Sequence, residues 1–128
     1  PALAGRRIGV RGGTAHAAWI AEARPEAVRV EFKTEAEAGA ALLDGRVDVV
    51  FGDTLALYRW LDRPETRGRA GFLGEGVEAP RLFGEGAGIA FRRDDRELGQ
   101  LVDKALVDLG RDGGLDRIAG HWFPFAIR

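Results

Sequence analysis

Two short segments constrain this chain more than any other feature. Gly9-Val10-Arg11-Gly12-Gly13-Thr14-Ala15-His16 is answered further along by Val49-Val50-Phe51-Gly52-Asp53. In each, an apolar run that reads as a strand meets glycine and then a polar residue favoured at helix starts. Each is therefore a strand-to-helix corner. If the strands are parallel, both corners fall at the same sheet edge, where ligands of open α/β sheets collect. A helix start offers backbone N–H groups to an anion, and a carboxylate offers a partner to a cation. The pair suits an anion or a zwitterion rather than a metal.

The intervening sequence supports that order. Residues 8–10 form a short apolar strand, Thr14 supplies an N-cap for a helix through Ala17, Ala18, Trp19, Ile20 and Ala21, and Pro25 closes it. Val28, Val30 and Phe32 alternate with Arg29, Glu31 and Lys33, the period of a half-buried strand. Thr34 and Glu37 make a capping box for an alanine-rich helix that ends near Asp44-Gly45. Residues 47–51 are almost continuously apolar, as in a central parallel strand covered on both faces. Residues 54–61 then read as a helix stopped by Pro64. Strand and helix alternating three times imply an α/β fold with a parallel sheet and right-handed crossovers.

The second half differs. Glycines at 68, 71, 74, 76, 84, 86 and 88 surround two short candidate strands near 70–73 and 88–91. Leu98, Leu101, Val102, Ala105, Leu106 and Leu109 recur at helical spacing, predicting a helix over 96–110 with Gly110 near its C-cap. A short helix over 115–121 leads into Trp122-Phe123-Pro124-Phe125.

Composition narrows the functions open to such a fold. The 128 residues, 45% of them hydrophobic, suffice for one domain with a core. With 19 basic against 20 acidic residues there is no basic field of the kind nucleic-acid binders carry. No cysteine and two histidines exclude disulfides and thiol nucleophiles and leave almost no nitrogen–sulfur metal site, so neither a metal nor a cofactor is expected. No apolar run approaches the roughly 18 residues of a membrane span, and the first residues lack signal-peptide features, so the chain is expected to be soluble.

These motifs together resemble the family 3 solute-binding proteins, periplasmic receptors for polar amino acids that serve ABC importers. The likeness rests on Gly5-Arg6-Arg7-Ile8-Gly9-Val10 with Gly13-Thr14, on Gly45-Arg46-Val47-Asp48 with Asp53, on Phe83-Gly84-Glu85-Gly86-Ala87-Gly88-Ile89-Ala90 before Arg92-Arg93-Asp94-Asp95, and on Asp112-Gly113-Gly114-Leu115-Asp116-Arg117-Ile118 with His121-Trp122-Phe123. Within the family, the lysine/arginine/ornithine and histidine receptors are the most similar. The resemblance implies a type II periplasmic-binding-protein fold, here a three-layer parallel-sheet lobe with C-terminal helices. Residues 1–86 would be the second of two lobes. Residues 87–128 would be the hinge crossing and the helices that pack on a first lobe not included in this chain, so the chain would be half of a receptor. The implied partners are a small-molecule amino acid and the membrane permease of an ABC transporter, the implied compartment is the periplasm, and the implied role is binding without catalysis. An orphaned 87–128 segment invites homo-oligomers or segment exchange.

The resemblance also implies site residues. The turn Gly13-Thr14-Ala15 would give backbone N–H groups and the Thr14 hydroxyl to the ligand carboxylate; Ala15 replaces a second threonine common there. Asp53 would accept a hydrogen bond from the α-ammonium group, although an aspartate there also suits a plain helix cap. Arg11 and His16 flank the turn at ligand-lining positions, or are simply solvated; Arg11 is expected to disfavour a cationic ligand side chain, and His16 to be a pH-sensitive contact. Trp19 is expected to pack on the sheet, and Trp122, Phe123 and Phe125 to lie exposed. Two other classes share the scaffold. One is an acid-catalysed enzyme resembling cyclohexadienyl dehydratase, for which Asp53 or Glu85 would be the acid. The other is the ligand-sensing domain of a receptor.

Overall fold

The computed structural model describes residues 3–84, 86 and 88–124. Two compact units divide the chain, Pro1–Glu85 and Gly86–Arg128.

In the first unit β1 (Arg7–Arg11), β2 (Val28–Phe32) and β3 (Val49–Val50) form a parallel sheet of order β2-β1-β3, connected by α1 (Ala15–Ala23) and α2 (Glu35–Leu43) and followed by α3 (Thr54–Leu61) and the short α4 (Pro80–Phe83). Register places Ile8 beside Val49 and Gly9 beside Val50 on one side of β1, and Gly9 beside Val30 on the other. β1 is thus the central strand, and the 47–51 run lies at the edge among the described residues, contrary to the expectation from its apolar continuity. Burial without a central position explains that continuity: Val47 is buried just before a two-residue strand.

Alternation along β1 makes the layers. Ile8 and Val10 pack with Ala17 and Ile20 of α1, joined at the margin by Trp19 and Phe51, so Trp19 does pack on the core. Gly9 points to the opposite face, where a β-carbon would meet Val47 at 3.1 Å and Phe32 at 3.3 Å. That bare position lets the α2 side close onto the sheet. The capping reading of α2 holds with one shift: the Thr34 hydroxyl accepts from Glu37 N at 3.1 Å, while the Glu37 carboxylate accepts from Lys33 N rather than from the cap residue, also at 3.1 Å. α4 was not expected; it lies against α1, and Arg81 pairs there with Glu22.

The second unit holds α5 (Arg96–Arg111) and α6 (Gly114–Trp122), each close to its expected span. Gly110 sits inside α5, and the left-handed residue that ends the turn is Gly113, at φ 72°. The two candidate strands near 70–73 and 88–91 do not form. Phe72, Leu73, Ile89 and Phe91 are exposed, without the two-sided burial that would hold a strand. Phe91 instead lays its ring on Gly99 of α5, where a β-carbon would come within 2.5 Å. Ala87 and Phe125 lie outside the described residues.

Candidate functional site

Both corners lie side by side at the carboxyl edge of the sheet. Pairing continues past the ends of the strands: Gly12 N donates to Phe32 O and Phe51 N donates to Gly9 O, each at 2.9 Å. Gly13 then takes a left-handed turn at φ 69°, a conformation that a side chain would strain, with nothing within 4 Å of where a β-carbon would project. The turn needs glycine for its backbone, and the space beside it stays open.

Thr14 is the N-cap of α1. Its hydroxyl accepts from Ala17 N at 3.3 Å and donates to Arg11 O at 2.7 Å. In this structure the hydroxyl proton is thus directed to Arg11 O. Ala15 and His16 occupy the first two helical positions, whose amides no intrahelical carbonyl can reach, and the cap serves Ala17 instead. Those two amides are the donors the first corner presents.

At the second corner Asp53 caps α3, its Oδ1 accepting from Ala56 N at 2.9 Å. The residue is exposed, and the cap engages only Oδ1. The structural and binding roles expected of Asp53 are thus geometrically compatible, and the structure shows the capping one.

His16 is half-buried. Its ring stands edge-on to Phe51 with centroids 5.3 Å apart and tilts against Phe83 at 5.0 Å, and Phe51 stacks in turn on Trp19 at 4.9 Å. Burial in this aromatic wall pushes the imidazole below its usual range; the carboxylates of Glu35 and Asp53 pull it back up, and the Arg11 guanidinium adds to the lowering. These influences place Arg11, Glu35 and Asp53 within electrostatic reach of one ring. Arg11 itself is exposed at the end of β1.

Glu35 is the residue that sequence reasoning passed over. It lies at the start of α2, yet its carboxyl carbon and Oε1 come within 3.9 Å of where a β-carbon on Gly52 would stand. Thr34 and Glu37 explained the local pattern as a cap and drew attention away from it. The available signal was topological: the first turn of every helix following a parallel strand lies at the ligand-binding edge. Glu85, the other carboxylate considered as an acid, lies outside the described residues. Among the described residues no group of acidic, histidine or cysteine side chains is arranged to hold a metal, and no helix is long and apolar enough to cross a membrane.

Comparison with known proteins accords with this geometry. No family model matches the chain. ABC transporter arginine-binding protein 1 of Escherichia coli K12 is 38% identical over 95% of this chain and 49% of its own length. The lysine/arginine/ornithine-binding periplasmic protein of the same organism is 32% identical over 98% of this chain, and the histidine-binding periplasmic protein of Salmonella typhimurium is 28% identical over 98%, each again matched over 49% of its length. Among solved structures, a Salmonella typhimurium periplasmic binding protein described for its high arginine specificity superposes with a TM-score of 0.60 at 26% identity, covering 94% of this chain and 53% of its own. The α/β unit with its three parallel strands is thus that of a periplasmic binding protein. Sequence and fold together make the chain a homologue of the family 3 periplasmic solute-binding proteins, spanning about half the length of the curated relatives it matches.

Proposed function

We propose that this chain is one half of a periplasmic receptor that binds a polar amino acid and presents it to an ABC transporter, with residues 1–86 as the second lobe. The observation that carries the reading is the adjacency of the two corners. Neighbouring strands are about 4.8 Å apart, a separation that an α-amino acid bridges with its carboxylate on the amides of Ala15 and His16 and its ammonium on Asp53. The positive end of α1 favours the carboxylate further. Gly13 keeps the approach open, and the wall of His16, Phe51 and Phe83 gives the ligand an apolar side.

Residues 87–128 then form the crossing and the helices that pack on the other half of the receptor. The exposed apolar residues of α5 and α6 support this reading, and they make self-association of the isolated chain its natural consequence. A binding role without catalysis is favoured over acid catalysis. The relatives are named as binding proteins, and Asp53 is exposed rather than enclosed in an apolar site.

One lobe leaves half the ligand in water, so affinity for the chain alone is expected near the millimolar range. Calorimetric titration with polar amino acids tests the reading. Asp53→Asn keeps a good cap while removing the charge and is expected to weaken binding by about tenfold or more. Unchanged affinity in that variant would contradict the assignment.

A further inference from the structure

We infer that Glu35 is a specificity-determining residue of this site, selecting an amino acid that carries a second cationic group in its side chain. The inference rests on the receptor reading above and deepens it. Glu35 is half-buried, stands against Gly52 immediately before Asp53, and bears on the same imidazole as Asp53 and Arg11. Thr34 caps α2 and the Glu37 carboxylate accepts from Lys33 N, so Glu35 is needed for neither contact. Among the described residues the Glu35 carboxylate accepts no hydrogen bond and joins no ion pair.

The charges at the corners then decide the preference. Asp53 and Glu35 supply two negative charges and Arg11 one positive, Glu31 beside Gly12 being paired with Arg29, while burial disfavours a charge on His16. A zwitterionic head group uses Asp53 and the α1 amides and leaves Glu35 unmatched. Desolvating that carboxylate under a neutral ligand costs free energy with nothing in return, whereas a guanidinium or ammonium on the ligand satisfies it. The effect expected of Arg11 alone, rejection of cationic side chains, is thereby reversed.

L-arginine and L-citrulline separate charge from shape, since they are nearly isosteric and differ in the cation. Calorimetric titration of the chain with each is expected to show a preference for arginine of about tenfold or more. In Glu35→Gln the ratio should fall to near one, with citrulline affinity unchanged and the melting temperature close to that of the parent. Equal affinities in the parent chain, a ratio retained in Glu35→Gln, or a parallel loss of both ligands in that variant would each overturn the inference. If the ratio survives Glu35→Gln while Asp53→Asn weakens both ligands, the receptor reading stands and only the role of Glu35 falls. If neither of these two binds the parent chain but another polar amino acid does, the receptor reading stands and the inference falls; if no polar amino acid binds, both fall.

Discussion

At the scale of single residues, Asp48 fixes the alignment on which the site depends. Its carboxylate accepts from Arg7 N at 2.8 Å, from Arg7 Nε at 3.2 Å and from Arg7 Nη2 at 2.7 Å, and Asp48 N returns a bond to Arg7 O at 2.8 Å. This clasp lies at the opposite edge from the corners and sets the β1–β3 register that brings them together. The hydrogen bonds from Arg7 hold the Asp48 carboxyl down at about 2. Because the folded value is depressed, its contribution to stability is fully present above the ordinary carboxylate range near pH 4 and is lost as pH falls toward 2. Denaturant midpoints followed across that window should fall more steeply for the parent chain than for Asp48→Asn, and parallel curves would contradict the clasp. Asp53 and Gly13 were legible in the sequence because their roles are local: a cap and a left-handed turn. Glu35 was not, because its contact with Gly52 joins segments that only the parallel topology brings together. The setting of His16 was hidden for the same reason, since Phe83 reaches it from far along the chain.

Secondary structure was readable wherever a cap or a period marked it. Thr14, Thr34 and Asp53 each start a helix where expected, and each accepts a backbone hydrogen bond in doing so. The misread strands at 70–73 and 88–91 had apolar residues but no partner edge, and hydrophobicity alone does not create one. Packing between helices also explains a residue that propensity disfavours. Gly39 sits within α2 because the Trp60 indole of α3 rests on it, and a β-carbon there would meet the ring at 2.8 Å. α5 and α6 show the opposite situation, periodic apolar residues with too little to cover them: Leu101 and Trp122 are each 67% exposed, with Leu98, Val107, Leu115 and Ile118 also exposed. Surfaces of this kind associate. Sedimentation velocity over a concentration series is expected to show dimers or larger species growing with concentration. A monomer throughout would contradict the self-association proposed for the isolated chain.

For the molecule as a whole, the central fact is extent. The chain matches its curated relatives over 49% of their length and carries, at the carboxyl edge of its sheet, the two strand-to-helix corners. The proposed binding rests on that edge: open amides at the start of α1, a carboxylate at the start of α3, a further carboxylate at the start of α2 and an aromatic wall beside them. The most direct measurement is a heteronuclear NMR titration of the isotopically labelled chain with L-arginine. The account predicts concentration-dependent shifts concentrated at the amides of Ala15, His16, Gly52 and Asp53, with α5 and α6 unaffected; shifts confined to α5 and α6, or none at saturating ligand, would contradict it.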